Sequence, residues 1–390
     1  MAWQVESVEN VKQSFILLYQ TGKFSMSELC LQFGISRPTG YAILRRYETE
    51  GWAALEEQSR RHKNHPWQTS SRIEQALLDE RKRHPRWGAR KLLVLLERTL
   101  PEVDLPCEST VNNILKRHGL VVPRKRGRRK IINQYPVFDP VHSNEIWSAD
   151  FKGKFRLGNQ TYCNPLTIAD SFSRYLFAIQ GLEYCRAEDC IPIFEKVFRE
   201  HGMPEWMHTD NGPPFGASNA LRRLSNLAVW FMDHGVTPVY SDPGHPEQNG
   251  RHERMHRDLK AESTRPPARS MVSQQRKFDQ FRREYNEVRP HEALNMLTPK
   301  EVHKPSKQEY SRRVQEWSYP TEMRQKLVTV NGALRWKSEG LIMVSTALAN
   351  RYVGLEPVED GVWVVHYRHV ALGVLSERTK RVYELGEYQV

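Results

Sequence analysis

The sequence has no run of 18 consecutive apolar residues, and no charged stretch leads into an apolar one at its start. Neither a membrane span nor a signal peptide is therefore expected, and the chain reads as cytoplasmic. Cysteine is scarce. Cys30, Cys107, Cys163, Cys185 and Cys190 are odd in number and form no C-x-x-C pair, which argues against a disulfide framework or a zinc knuckle. They read as buried apolar residues. A chain of 390 residues exceeds one small domain and predicts two to four.

Positive charge is abundant and unevenly spread. Residues 1–140 hold 24 Lys and Arg against 15 Asp and Glu, a balance of +9, whereas residues 141–390 hold 34 against 31, a balance of +3. A basic front half suits nucleic acid, because Lys and Arg neutralise phosphates and release counterions. A solvated basic face would give the same count.

Three helical patches fill residues 10–50: "NVKQSFILLYQTG", "SMSELCLQFG" and "SRPTGYAILRRYETEG". Ser25 or Ser27 can cap the second and Gly34 can end it, while Ser36 can cap the third with Arg37 and Pro38 in its first turn. This is helix-turn-helix spacing. It puts Arg37, Thr39, Gly40 and Tyr41, with Arg45 further along, where a recognition helix meets base edges. A plain three-helix bundle shows the same caps. A second set follows in "SRIEQALLDERKRHP", "WGARKLLVLLERTLP" and "CESTVNNILKRHGL", where Ser109 or Thr110 can open a last helix carrying Asn112, Asn113, Lys116 and Arg117. His62, His65 and His84 lack spaced cysteine partners and read as surface or capping residues rather than metal ligands.

The run "PRKRGRRK" at 123–130 cannot pack a core and reads as an extended connector. Arg124, Lys125, Arg126, Arg128, Arg129 and Lys130 could enter a narrow minor groove, or they could serve as a solubilising linker or targeting signal.

From residue 144 the pattern changes to strands in a meander, a helix, a strand ending near Asp210, another helix and the short strand "VTPVY", which indicates a mixed α/β layer. Asp210 is followed by Asn-Gly and Pro-Pro, so it stands where a strand stops. Asp150 lies in the first strand, and Glu253 falls in the first turn of a helix after Asn249-Gly250. Each acid alone is more often structural. Together they could hold two divalent cations that activate a water or a 3′-hydroxyl and stabilise the leaving oxygen of an in-line phosphodiester displacement.

The motifs "WSAD", "HTDNG" and "SDPGHPEQNGRHERMHRDLK" resemble the core signatures of DDE insertion-sequence transposases, over roughly residues 140–300. The resemblance implies a ribonuclease-H-like core of the retroviral-integrase type, with Asp150, Asp210 and Glu253 as the catalytic and metal-binding triad. It implies two Mg²⁺ or Mn²⁺ ions as cofactors, element ends and target DNA as substrates, and at least a dimer, since one element has two ends. Glu253 is selected because it stands three residues after the Asn-Gly, and Glu247 is the runner-up. The Asp210–Glu253 spacing is longer than in many relatives, and the extra length falls in "GASNALRRLSNLAVWFMD". His256 and Lys260, three and seven positions after Glu253, share its helix face and could touch DNA. His208 and Asn211 could orient Asp210; Asp170 is not taken as a ligand; and Asn286, Arg289, Pro290 and His291 resemble the segment that closes this core in the family.

Short runs of Val, Tyr, Trp and Leu broken by Asn-Gly, Glu-Gly and Asp-Gly end the chain, predicting five or so strands of a small β-barrel. Such a barrel resembles those appended to phage Mu-type transposases and integrases. The expected organisation is a helix-turn-helix domain at 1–57, a second at 65–122, a basic linker at 123–140, the α/β catalytic core at 141–305 and the barrel at 325–386. The function implied is a bacterial, nucleoid-associated transposase that cleaves and joins DNA. A catalytically silent DNA-binding regulator and a metal-dependent nuclease are the alternatives.

Overall fold

The computed structural model describes residues 7–55, 68–121, 139–217, 220–241, 250–314, 316–336 and 340–388. It divides into two compact units, one up to Ser71 and one from Arg72 onward. The basic residues at 124–130, His62, His65, Glu247 and Asn249 lie outside the described residues.

In the first unit, α1 (Val8–Gln20), α2 (Met26–Gln32) and α3 (Arg37–Glu50) enclose Phe15, Ile16, Leu29, Cys30, Leu44 and Leu55. Ser25 caps α2 in a reciprocal box with Glu28, and Ser36 caps α3. Gly40 is not on the DNA-facing side that the sequence suggested for it. It is buried, and a Cβ there would stand 2.6 Å from Cys30 Sγ, so its place is the helix crossing.

The second unit begins with α4 (Ser71–Arg83), α5 (Ala89–Thr99) and α6 (Glu108–Arg117) around Trp87, Leu92, Leu96, Val111 and Leu115. The last of these starts earlier than Ser109, with Cys107 at its N-cap. Then come β1 (Ile146–Phe151), β2 (Phe155–Arg156), β3 (Tyr162–Asp170), β4 (Leu176–Leu182), α7 (Ala187–His201), β5 (Trp206–Thr209), α8 (Asn226–Asp233), β6 (Thr237–Tyr240), α9 (Gly250–Ser263) and α10 (Met271–Glu287). The sheet order is β2-β3-β1-β5-β6, with β4 also on β3. It is antiparallel around β3 and parallel from β1 through β5 to β6.

The alternation in β1 explains the layering. Trp147 and Ala149 pack against α7 and α8 through Phe194, Phe198 and Phe231, while Ser148 and Asp150 face α9. On that second face Met255, Leu259, Phe278 and Phe281 of α9 and α10 cover Leu176 and Ile179. The α4–α6 bundle is tied to this layer, where His84 Nδ1 meets Glu284 Oε1 at 2.9 Å and Arg98 pairs with Glu301 at 3.1 Å.

The chain ends in β7 (Arg324–Leu327), β8 (Ala333–Arg335), β9 (Leu341–Met343), β10 (Tyr352–Glu359), β11 (Val362–Tyr367), β12 (Val370–Ser376) and β13 (Arg381–Tyr383). The expected barrel is not closed by strand pairing among the described residues. Strands β13-β12-β11-β10-β7 make an open antiparallel sheet, and the hairpin β8-β9 joins its end through a bridge between Val328 and Leu334. The physical reason lies in what covers it. Val353, Leu355, Val365, Leu372 and Leu375 share one buried cluster with Leu334, Ile342 and Val344 from the hairpin side and with Leu224, Ala228, Val229 and Met232 from the α8 side, so hairpin and helix together cover the sheet. At its centre Asp233 of α8 accepts from Arg351 at 2.6 Å and from the Tyr367 hydroxyl, and Arg368 Nε lies 3.6 Å away. No helix among the described residues is long and apolar enough to cross a membrane.

Candidate active site

Asp150 and Asp210 are brought together by strand register. Ala149 pairs with Thr209 on the parallel strands β1 and β5, so the next residue on each strand is an aspartate. Neighbouring strands lie about 4.8 Å apart, and residues in register point to the same face. Asp210 is shaped by its turn, its Oδ1 accepting from Gly212 N at 3.3 Å. Glu253 stands exposed in the first turn of α9.

Burial pushes the Asp150 carboxyl up to about 7, and the charges of Asp210 and Glu253 push it the same way. Burial also raises Asp210. A negative charge on Asp210 or Glu253 therefore disfavours charge on Asp150. A cation placed among them would reverse that cost.

Beneath Asp150 lies a polar node that the sequence did not reveal. The buried Thr167 is the register partner of Asp150 on β3, and its hydroxyl meets the Asp150 carbonyl at 2.9 Å, His252 Nε2 at 2.6 Å and His256 Nε2 at 2.7 Å. A hydroxyl has one proton to give, and the carbonyl can only accept, so both histidines donate through Nε2. The Ser148 hydroxyl then serves His252 Nδ1 at 3.0 Å. The remaining lone pair, on His256 Nδ1, faces Asp150 Oδ2 at 3.6 Å. That contact is not an ion pair, because burial lowers both histidines, His252 to about 3 and His256 further, and keeps them neutral. Asp150, His252 and His256 each bring a possible ligand atom within 4.8 Å of the others, yet His252 has both nitrogens engaged.

His256 is thus not on the DNA-facing surface that its spacing from Glu253 suggested. Positions 252, 255, 256 and 259 form the buried stripe of α9, and the exposed face carries Glu253, Arg254, Arg257 and Lys260. Arg257, one turn after Glu253, is the residue that this spacing could have revealed. Removing the node hydroxyl should be costly. Thr167→Val leaves two histidine N–H groups without an acceptor and is expected to lower stability by about 2–4 kcal/mol in urea unfolding, whereas Thr167→Ser should lose under about 1 kcal/mol.

His208 and Asn211 both bond to Ser241. His208 Nε2 meets Ser241 Oγ at 2.9 Å, while Asn211 donates to Ser241 O at 2.7 Å and accepts from Arg223. They fasten the end of β5 to the end of β6. Asp170 is buried and structural, accepting from Asn144 N at 3.1 Å and Ser173 N at 2.9 Å. Asn286 satisfies both the N–H and C=O of Leu176 at 2.9 Å, and Arg289 pairs with Asp258 at 2.5 Å, so α10 is locked to β4 and α9. Away from this centre, Arg37, Thr39, Tyr41 and Arg45 are exposed on α3, Lys116 is exposed on α6, and Asn112 is half-buried. Arg117 is engaged by Glu74 at 2.6 Å.

Family models described as "Integrase core domain" match residues 140–246 and 234–299. A "Helix-turn-helix domain" model matches residues 11–63 and a "Homeodomain-like domain" model residues 39–115. The insertion element IS407 uncharacterized 31.7 kDa protein of Burkholderia multivorans is 30% identical over 230 residues, covering 55% of this chain and 75% of that protein. The insertion element IS476 uncharacterized 39.2 kDa protein of Xanthomonas euvesicatoria is 24% identical over 249 residues, 63% of this chain and 69% of the relative. Among solved structures, the magnesium complex of the HTLV-2 integrase catalytic core domain is 15% identical, covers 43% of this chain and 100% of its own, and has a TM-score of 0.34. The chain belongs to the insertion-sequence transposases with an integrase-like catalytic core.

Proposed function

We propose that this chain binds the ends of its mobile element through the helical units at 1–57 and 65–122 and cuts and joins DNA with Asp150, Asp210 and Glu253. The observation that carries this reading is the pair of aspartates at the ends of adjacent parallel strands, with a third carboxylate opening the helix packed on the same face. All three are hard oxygen donors, which fits Mg²⁺ or Mn²⁺. When bound, two such ions would polarise the attacking oxygen and neutralise the leaving one.

The chain's own part is positioning. Thr167, His252 and His256 pin α9 to β1, so Glu253 and Asp150 keep their relation while DNA enters. Water is the first nucleophile and the freed 3′-hydroxyl the second, with no covalent enzyme intermediate. The linker at 123–140 would follow the DNA backbone, and at least a dimer would hold two ends.

Strand transfer of a labelled element-end oligonucleotide into plasmid with Mg²⁺ tests this. Joining should vanish in Glu253→Gln with end binding unchanged and survive in Glu247→Gln. The reverse pattern would move the third carboxylate to Glu247. A parent that binds the end yet never nicks or joins it would overturn the reaction and favour the regulator.

A further inference from the structure

Between Asp150 and Asp170 there is no acidic residue, while Lys152, Lys154 and Arg156 fall on the segment leaving the active strand. Lys152 is close enough to the centre to lower Asp150 electrostatically. Arg156 is the register partner of Tyr162 on β3. Lys154 Nζ lies 5.1 Å and the Arg156 guanidinium 5.0 Å from the Tyr162 ring centroid. Both cations are exposed, and among the described residues neither has a carboxylate at ion-pair distance.

This arrangement has a specific physical consequence. A carboxylate partner would hold a cation by cancelling its charge, but an aromatic face holds it with the charge intact. Two cations restrained on one ring keep their full attraction for an external anion and lose less side-chain freedom on meeting it. Cations held 5.1 and 5.0 Å from one ring centroid stand no more than about 10 Å apart, and each DNA strand presents a phosphate every roughly 3.4 Å of axis, so a backbone can engage both together. The surface also continues. Gly158 N and Asn159 N donate to Ala268 O and Arg269 O at 2.9 Å, and a Cβ at Gly158 would stand 3.1 Å from Arg269 Cα, which brings exposed Arg269 beside the hairpin turn.

We infer that Lys154, Arg156 and Tyr162, extended by Arg269, form a phosphate track that holds the DNA backbone flanking the bond at Asp150. The inference deepens the proposed reaction and rests on it for the identity of the partner. Its readout is binding, which needs no chemistry. The full chain is titrated with a 30-base-pair duplex of random sequence, by fluorescence anisotropy at a series of KCl concentrations.

Each phosphate contact contributes about 0.9 to the slope of log affinity against log salt. The double substitution Lys154→Gln with Arg156→Gln should therefore reduce the slope by roughly 1.8. Arg269→Gln, which leaves the ring untouched, should reduce it by roughly 0.9, and guards against a folding defect in the double variant. Tyr162→Leu should weaken binding while Tyr162→Phe retains it. Unchanged slopes in variants that melt like the parent would overturn the track, even if the parent joins DNA. A parent that never joins DNA while these slopes fall would overturn the reaction and leave the track standing.

Discussion

Asp150→Asn is expected to reduce strand joining by at least about 10³-fold, some 4 kcal/mol of activation free energy, while making the metal-free protein more stable at pH 8. The two effects have one origin. In the folded chain the Asp150 carboxyl titrates at about 7, against an ordinary value of 3.8, because it is buried and faces Asp210 and Glu253. A raised carboxyl pKa means that the native state binds a proton which the unfolded chain has released. Stability is therefore complete below pH ~4, is lost as pH rises to about 7, and is flat above that.

The loss has an upper bound of about 4 kcal/mol, and partial solvent access brings the expected value nearer 1–2 kcal/mol. Asparagine carries no charge at any pH. In EDTA the variant should melt with the parent at pH 4 and above it at pH 8. Saturating Mg²⁺ should then raise the parent more than the variant, since an ion bound only by the folded state stabilises it. A variant that melts lower than the parent at pH 8 would show that Asp150 is held by contacts its charge strengthens, contrary to the repulsion argued above.

The second large effect is expected far from the chemistry. Asp233→Ala leaves Arg351 and Arg368 without the carboxylate they share, with Arg368 9% exposed, and should cost about 3–5 kcal/mol. Unfolding followed by tryptophan fluorescence should shift accordingly, with Trp363 of β11 and Trp336 beside the hairpin among the reporters. Pairing the change with Arg351→Met in a double-mutant cycle separates the lost attraction from the orphaned cation. A shift below about 1 kcal/mol would mean that the apolar cluster alone holds the sheet on α8.

The sequence made the local chemistry of the core legible and left the tertiary choices hidden. The first strand of the core, the turn after Asp210 and the Asn-Gly that opens α9 were readable, so Asp150 was expected on a strand, Asp210 at a strand end and Glu253 in a helix's first turn, where the structure has them. They were readable because strand ends and helix starts are fixed by neighbours in the chain. Thr167 was invisible because its role depends on being opposite Asp150 in register, 17 residues away. His256 was misread because i+3 spacing says that two residues are close on a helix, not which side of it is buried. The open C-terminal sheet was missed for a related reason. Its strands were recognisable one by one, but the helix that covers them lies about a hundred residues earlier.

That covering helix lies within the lengthened stretch between Asp210 and Glu253. Arg222 in this stretch donates to Ala371 O through its side chain and to Glu384 through its backbone at 2.8 Å, and its neighbour Arg223 reaches Asn211. In evolutionary terms, the segment Leu221–Asp233 and the terminal sheet are expected to behave as a single heritable trait. A lineage that shortened the one would expose the apolar face of the other, so the long acid spacing and the extra sheet should be gained, and lost, together.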